Sequence, residues 1–543
     1  MAQATCRANR ARTANVRPAH IRRGAALARS LSALAGLSGL AGMLALAACA
    51  GSPGGKGVTA EQFYQSAYGK IDELYLDPVD MRRLVVDGLI HAGRVVPDLT
   101  VTVPPDQATV ILAVGKRTPR TFALSPNDLP QSQDAAPWAH LAASITDWVV
   151  AQSTDLASAQ QDRETLFRAL LEGATADLDP YSRYSVPAAA RTERTRREGY
   201  VGIGVTLEET PRGFRILAVA PGSPAATAGL QAGDVIVAVG GLPVDTTGGG
   251  GPTLTVEAVM NRLSGPEGTG VPVRVARTGG MVTLLISRQR IILPTVMAER
   301  TGAVGVLHVS RFNAGTADAL AAAVRHLRDT AGTAGPPTGW VLDLRGNTGG
   351  LLDQAVAVAD LFITSGPILN TVGRHPDSVQ HYDATPDDIL DGAPLVVLAD
   401  GQTASSAEIV LGALVDSGRA LDVGTTSFGK GVVQTVAPLP NGGELFITWS
   451  RILTPAGRMF DHKGLAPAIC TAGLTDPAAI LAPLRAQPRP IGTPAACPAE
   501  RNRPAPVDLT VAEDLLANPP LLRRAQLAGQ PLLADQPAAG NDP

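Results

Sequence analysis

The spacing of apolar and polar residues divides the first part of the chain into short regular segments. Apolar positions three and four residues apart predict helices, and a strict alternation predicts strands. Helical spacing covers 60–75, 79–92, 138–159 and 163–176, while 99–103 and 108–114 are typical of strands. A charged stretch, 188–198, follows as a linker. These patterns predict a mixed, mainly helical region over 50–190.

A different pattern begins at Gly199 and continues to about Pro294. Short apolar segments alternate with turns rich in glycine and proline, which is typical of β-structure. Strands are predicted over 201–205, 216–220, 271–276 and 282–287 and within 233–241, with a helix over 256–263. A glycine-rich insertion at 246–251 is typical of a loop. We therefore predict a compact β-rich module over 199–294.

The order of these elements resembles a PDZ domain, and the run from Gly222 to Gly241 carries most of the resemblance. Such domains bind a peptide as an added strand at the edge of a sheet. The loop whose amides are expected to hold the terminal carboxylate of the peptide is Gly202-Ile203-Gly204-Val205. The alternative is that these glycines only form a tight turn. The resemblance favours carboxylate capture.

From Val304 onward, apolar strands alternate with amphipathic helices, which is typical of an α/β layer architecture. Strands are predicted over 304–309, 340–344, 395–399, 432–439 and 443–452, and helices over 316–330, 351–362 and 406–415. After residue 474 the chain is rich in proline and alanine, with 507–527 as the only helical pattern. We expect an α/β core over 295–474, to which 163–190 contributes. A tail over 475–543 ends in residues with the composition of a disordered segment.

Composition limits the classes of function that the chain can serve. Its 543 residues are enough for three or four domains at about 150 residues each. The 46 basic and 49 acidic residues give a net charge of −3, which gives no support to nucleic-acid binding. The sequence has no CxxC pair and no phosphate-binding loop of the GxxxxGK[ST] type. We therefore expect neither a metal ion nor another cofactor.

The N-terminus has the features of an export signal over 1–49. Seven arginines precede the first acidic residue, and an uncharged run from Leu31 to Ala48 follows. The run continues into Cys49 and resembles a bacterial lipoprotein signal, in which Cys49 would be lipidated. An uncleaved anchor helix is the alternative, because about 18 apolar residues approach the ~20 that span a bilayer. Both interpretations predict a place in the bacterial cell envelope, on the periplasmic side of the membrane.

Beyond the signal, the sequence contains only two cysteines, Cys470 and Cys497. An exported chain with one such pair permits a disulfide across the tail. Two unpaired thiols are the alternative, and the sequence does not decide between them.

Two segments of the α/β core carry candidate chemistry. Ser405 lies where a predicted strand turns into a helix, and Lys430 lies between two glycines in 428–434. A serine hydroxyl needs a base to become a nucleophile, and a lysine can be that base only if burial lowers its pKa. Gln434 follows Lys430 by four residues, an even spacing that places both side chains on one face of a strand. We expect Gln434 to accept a hydrogen bond from the amine; surface positions for the lysine and glutamine are the alternative.

The start of the helix after Ser405 offers unpaired amides and the positive end of a dipole. We expect the amide of Ser406 to bind the oxyanion of an acyl intermediate, together with an amide of Gly349 or Gly350 at another strand-to-helix turn. Ser405 alone would be an ordinary helix N-cap, and Ser406 is the competing nucleophile. Glu408, three residues after Ser405, also permits a capping box.

These segments resemble the C-terminal processing peptidases, also called tail-specific proteases, over about 163–468. The matching runs are the PDZ-like module and 178–182, 342–350, 403–408, 428–434, 453–458 and 463–467. The resemblance implies that Ser405 is the nucleophile, Lys430 the general base and Gln434 the support of the lysine. The sequence departs from the family at Ala468, where an aspartate is common, and in the insertion at 246–251.

The expected protein is an exported serine endopeptidase that cleaves proteins near or from their C-terminus. Its fold class is multidomain α+β: a mostly helical N-terminal region, a PDZ module and an α/β core that resembles the crotonase fold. Expected partners are a protein or peptide with a free C-terminus, the membrane through the N-terminal anchor, and a second copy or an adaptor protein. The alternatives are a catalytically silent PDZ scaffold, a crotonase-type enzyme and a hydrolase with a Ser–His–Asp arrangement.

Overall fold

The computed structural model describes residues 58–105, 108–124, 134–152, 156–211, 213–244, 254–486, 497–501 and 506–529. The predicted signal with Cys49, the glycine-rich insertion at 246–251 and the last residues of the tail lie outside this part. The described residues, from Val58 onward, belong to one compact unit. Within the described ranges, no helix combines the length and the apolar character needed to cross a membrane.

Helices and a three-stranded antiparallel sheet form the described part of the N-terminal region. The elements are α1 (Ala60–Leu74), α2 (Met81–Val95), β1 (Leu99–Thr102), β2 (Thr109–Val114), β3 (Arg120–Ala123), α3 (Ala135–Val150) and α4 (Leu156–Ala176). Their core includes the stacked rings of Phe63 and Phe167, whose centres are 3.8 Å apart. The predicted boundary between the last two helices is wrong, because α4 already begins at Leu156. The sequence has a polar run over 152–155 just before this start, and the prediction from apolar spacing overlooked it.

The charged linker predicted over 188–198 is a helix. After the short strand β4 (Arg183–Ser185), α5 (Pro187–Glu198) begins with a proline in its first turn. Two of its arginines bind one buried carboxylate of the core: Arg194 lies 2.7 Å from Glu444 and Arg197 lies 3.0 Å from it. Because the side chain of Glu444 is only 3% exposed, these ion pairs fix α5 to the core.

The middle module is an antiparallel sheet with two short helices in its described part. Its elements are β5 (Tyr200–Gly202), β6 (Val205–Thr210), β7 (Gly213–Val219), α6 (Pro224–Thr227), β8 (Val235–Val239), β9 (Leu242–Pro243), α7 (Val256–Leu263), β10 (Gly270–Arg277), β11 (Gly280–Ser287) and β12 (Gln289–Ile291). The sheet order is β11-β10-β8-β7-β6, so β6 forms an edge, and α7 packs against β6. The strand predicted over 201–205 is broken at Gly204, where φ is +84°. Its first half, β5, pairs instead with β12, so the two connections into the module run side by side.

The core contains two sheets and three helices. Its elements are β13 (Val296–Thr301), β14 (Val304–Val309), α8 (Thr316–Asp329), β15 (Gly339–Asp343), α9 (Leu352–Asp360), β16 (Pro367–Val372), β17 (Gln380–Asp383), β18 (Leu395–Ala399), α10 (Ser406–Asp416), β19 (Leu421–Gly424), β20 (Val432–Pro438), β21 (Glu444–Leu453) and β22 (Ile469–Cys470). The main sheet has the order β13-β14-β15-β18-β19-β22 and is parallel except for β13. The second sheet, β17-β16-β21-β20, also receives β4 from the N-terminal side. The strands and helices predicted for this region are confirmed to within two residues at each end.

The described part of the tail is more regular than its composition predicts. The helices α11 (Pro477–Ala486), α12 (Pro506–Leu516) and α13 (Pro519–Gly529) pack on the face of the main sheet opposite to α8, α9 and α10. The prediction of a single helical stretch over 507–527 is therefore wrong. Each helix begins with a proline, which is compatible with the first turn and ends the preceding segment. A disulfide joins Cys470 of β22 to Cys497, so the disulfide is present rather than two free thiols.

Candidate active site

Ser405 occupies a strained turn at the carboxyl end of β18. Its φ of +56° and ψ of −118° lie in a region that residues other than glycine rarely adopt, at a cost of about 1–3 kcal/mol. α10 begins at the next residue and directs its positive end toward this turn. Strained strand-to-helix turns of this kind expose the nucleophilic serine in other hydrolases. The backbone therefore presents Ser405 where a developing anion is stabilised.

Lys430 is half-buried and its amine is held in one direction. Its Nζ donates a hydrogen bond of 2.8 Å to Oε1 of Gln434 and lies 4.9 Å from the centre of the Tyr181 ring. Burial, followed by the charge of Arg183, lowers the pKa of Lys430 from 10.5 to about 8. Nearby carboxylates act in the opposite direction but do not cancel the effect. A substantial fraction of the amine is therefore neutral near pH 8.

Gln434 is itself fixed from the other side. Its Nε2 donates to the backbone carbonyl of Tyr181, in the run 178–182. The hydrogen bond predicted from lysine to glutamine is present, but the predicted reason for it is wrong. Lys430 precedes β20, and the register of this strand shifts between Val433 and Gln434, so the two residues do not share a regular strand face.

A buried carboxylate joins the segments that carry Ser405 and Lys430. Oε2 of Glu408 accepts hydrogen bonds from the backbone amides of Ser405 and Lys430, both at 2.8 Å. Oε1 accepts from Gly429 N at 2.7 Å and from Ser427 Oγ at 2.6 Å. Burial raises the pKa of Glu408, and these hydrogen bonds act against that rise. In the sequence, Glu408 was considered only as a capping-box partner. One signal could have indicated its buried role: it is a glutamate within the apolar pattern of a buried helix.

The amides proposed for an oxyanion hole differ in availability. Gly349 N donates to Oδ1 of Asn347 at 2.9 Å. Within the part of the chain that the structure describes, Ser406 N and Gly350 N donate to no acceptor. A Cβ at Gly349 would lie 3.1 Å from Ser406 N, so the glycine allows the close approach of the two turns. Of the two predicted glycines, Gly350 is thus the one with a free amide beside Ser406.

Ser405, Lys430 and Gln434 line one cavity of about 230 Å³. The competing serine, Ser406, also reaches it, but its Oγ donates to the carbonyl of Gly350 at 2.9 Å and the residue is 2% exposed. None of the described residues that line this cavity is a histidine. Nor does a hydrogen bond join Ser405 Oγ to Lys430 Nζ among the residues described. Hydrogen bonds of this kind often form only when substrate is bound.

The loop predicted to bind a carboxylate lies in the middle module, outside this cavity. Ile203 is 1% exposed, and its carbonyl accepts from Ala225 N at 2.9 Å. The carbonyl of Gly204 accepts from Ala220 N at 2.9 Å. The edge strand β6 begins immediately afterwards, at Val205. This arrangement is compatible with peptide addition at the edge, and the role of the loop stays a prediction.

A short piece of the tail, 497–501, contacts both loops of the candidate site, and nothing in the sequence pattern predicted these contacts. Gly401 N, four residues before Ser405, donates to the carbonyl of Glu500 at 2.8 Å. The guanidinium of Arg501 lies 4.6 Å from the ring centre of Phe428, two residues before Lys430. The disulfide holds this piece in place at its first residue.

Comparisons with known proteins show which family of proteins the chain is similar to. A sequence profile of peptidase family S41 matches residues 303–471, and a PDZ domain profile matches 215–277. The carboxy-terminal-processing protease of Bartonella bacilliformis is 37% identical over 312 residues, which are 57% of this chain and 70% of that protein. The carboxy-terminal processing protease CtpA of Bacillus subtilis is 32% identical over 57% of this chain and 64% of its own length. Among solved structures, the photosystem II D1 C-terminal processing protease is 26% identical with a TM-score of 0.33, over 72% of this chain and 92% of that one.

Proposed function

The chain belongs to peptidase family S41, the carboxy-terminal-processing proteases, and on this premise we propose that it is an endopeptidase with a serine–lysine dyad. Ser405 is the nucleophile and Lys430 is its base. The observation that carries this assignment is that a serine on a strained turn and a lysine with a lowered pKa line one cavity. The fold is multidomain, with a helical N-terminal region, a PDZ domain and a sheet-rich peptidase core.

The geometry supports a two-step acyl transfer. The neutral amine of Lys430 takes the proton from Ser405 Oγ as the oxygen attacks the scissile carbonyl carbon. The amides of Ser406 and Gly350 bind the oxyanion of the tetrahedral intermediate. Its collapse breaks the C–N bond, and the lysine ammonium gives its proton to the leaving amine. Lys430 then deprotonates a water molecule that attacks the ester carbonyl carbon, and the lysine ammonium returns the proton to Ser405 Oγ as the C–O bond breaks.

The PDZ domain selects the substrate in this proposal. A free C-terminus adds as a strand beside β6, in the groove next to α7, and the amides of the loop 202–205 hold its carboxylate. The bound peptide then has a high effective concentration at Ser405. The proposal includes export and a lipid or signal anchor at the N-terminus, with Cys49 as the lipidated residue, so that the enzyme works on the periplasmic side of a bacterial membrane.

Cells that produce the wild type or Ser405→Ala test this function. We expect that a set of envelope proteins keeps C-terminal residues in the Ser405→Ala cells that the wild type removes, as seen by mass spectrometry of C-terminal peptides. Ser417→Ala is the matched control, because this serine is exposed at the far end of α10, and its cells should have the wild-type C-termini. Identical C-termini in wild-type and Ser405→Ala cells would favour a silent scaffold.

A further inference from the structure

Three arginines are among the described residues that line the cavity containing Ser405. They are Arg183 of β4, Arg197 of α5 and Arg311, which follows β14. The only acidic side chain among the described lining residues is Glu193. With Lys430 in the same wall, the cavity has an excess of positive charge.

The guanidinium groups are only partly neutralised by the protein. Within the described ranges, the side chains of Arg183 and Arg311 form no hydrogen bond and no ion pair. Arg197 binds Glu444 through Nη2 at 3.0 Å, whereas its buried Nη1 has no partner among the described residues. Planar N–H donors without a protein acceptor therefore lie among the residues that line the cavity of Ser405.

Two of these arginines are held in place by one aromatic ring. The guanidinium carbon of Arg183 lies 3.8 Å from the centre of the Phe446 ring, and that of Arg197 lies 5.4 Å from it. Burial lowers the pKa of Arg183, and the charge of Arg197 acts in the same direction. The charges of Glu193 and Glu444 act against this lowering. These carboxylates do not balance the three arginines and the nearby lysine, and the remaining positive charge in a partly desolvated cavity favours a further anion. Guanidinium groups match the geometry of a carboxylate, which they bind in a bidentate manner.

We propose that Arg183, Arg197 and Arg311 form a subsite that binds a carboxylate of the peptide substrate next to the scissile bond. The inference rests on the proposed function, because it is a peptide held at Ser405 that brings the carboxylate into the cavity. The carboxylate comes either from an acidic side chain or from the substrate's own C-terminus. The subsite thus gives the peptidase core a preference of its own, in addition to that of the PDZ domain.

Binding of short alanine-rich peptides to Ser405→Ala tests the proposal without requiring cleavage. One glutamate is moved through successive positions, each peptide has a glutamine counterpart, and each is made with a free and an amidated terminus. We expect the peptide with glutamate at one position to bind about tenfold more tightly than its glutamine counterpart, or the peptide with a free C-terminus to bind about tenfold more tightly than the amidated peptide. Adding Arg183→Gln or Arg311→Gln should remove this preference, while Arg94→Gln, at an exposed position of α2, should leave it unchanged.

The two arms identify the source of the carboxylate. A glutamate preference that the arginine variants remove assigns the subsite to an acidic side chain, and an amidation effect that they remove assigns it to the terminus. Equal dissociation constants for glutamate and glutamine at every position, with an amidation effect that survives both arginine variants, would overturn the proposal. If the wild type cleaves no peptide while the arginine-dependent preference is present, the subsite stands and the proposed peptidase function fails.

Discussion

The backbone amides of Ser405 and Lys430 donate to the same oxygen of Glu408, each at 2.8 Å. The two residues belong to different loops, one before α10 and one before β20. A single buried carboxylate therefore fixes the separation of the loops that carry the proposed nucleophile and base. Its position on the first turn of α10 ties both loops to the rigid core.

Replacing Glu408 by glutamine should destabilise the protein and reduce cleavage. The new NH₂ group would face backbone N–H donors, leaving buried donors without an acceptor. We expect the free energy of unfolding to fall by about 2–4 kcal/mol, together with a loss of kcat. Denaturant unfolding and peptide cleavage measure both. Glu257→Gln, whose side chain is 77% exposed, should change stability by less than about 0.5 kcal/mol; equal effects of the two variants would argue against the role of Glu408.

Gln434→Glu should move the pH dependence of cleavage. The substitution keeps the size and the acceptor oxygen but adds a negative charge beside Nζ of Lys430. A negative neighbour favours the charged amine and raises its pKa, so less neutral base is present at pH 7. We expect kcat/KM at pH 7 to fall and its half-maximum to move up by about one pH unit or more. Gln160→Glu, on the exposed surface of α4, should leave the profile in place; an unshifted Gln434→Glu profile would mean that Gln434 does not face the base.

Reduction of the Cys470–Cys497 disulfide should weaken both stability and turnover. The bond closes a loop with a sequence separation of 27, for which a stabilisation of about 3 kcal/mol is typical. The segment 497–501 contacts the loops before Ser405 and Lys430 but does not line their cavity, so kcat should fall more than KM rises. Thermal unfolding and steady-state kinetics with and without a reductant measure this. The variant with both cysteines replaced by serine should have the stability and activity of the reduced protein, and the reductant should not change them. Full activity of the reduced protein would contradict the prediction.

A free C-terminus should make a peptide a better substrate through the PDZ domain. Amidation removes the charge that the amides of 202–205 are proposed to hold, so KM should rise more than kcat falls. Because β5 and β12 lie side by side, a short linker can replace 203–288 between them. This deletion should remove the difference between acid and amide. Equal cleavage of the two peptides by the intact enzyme would show that the loop does not capture carboxylates.

The central strands of the core were predictable from the sequence because they are short, buried runs bounded by polar turns. Every residue of β15 and β18 is buried; β18 is an unbroken apolar run, and the apolar run of β15 ends at Asp343. The helix α5 was not predictable in the same way, because its arginines look solvated in the sequence. Their partner is remote: Arg194 and Glu444 are 250 positions apart. The tail helices likewise depend on the main sheet for a surface to pack on.

The site shows the same division between local and long-range information. Ser405 and Lys430 were predicted from a helix start, from flanking glycines and from short motifs shared with a family, which are local features. The role of Tyr181 in fixing Gln434 depends on contacts between distant segments. The same holds for the arginines of the cavity, which come from β4, α5 and the loop after β14. The spacing of Tyr181, Gln434 and the arginines in the sequence does not predict that they lie close together.

The pH dependence of kcat/KM on a fluorogenic peptide tests the serine–lysine assignment most directly. Below its pKa Lys430 is protonated and cannot act as a base, so activity should rise with pH. Burial and Arg183 lower the pKa, against the opposing charges of Asp179, Glu408 and Asp461, which places the half-maximum near pH 8. Lys430→Ala and Ser405→Ala should each lose about 10⁴-fold or more in kcat/KM while unfolding at the wild-type temperature, and the double variant should be no worse than either. A kcat/KM of Lys430→Ala equal to that of the wild type, or a wild-type half-maximum near the ordinary lysine pKa of 10.5, would contradict the account.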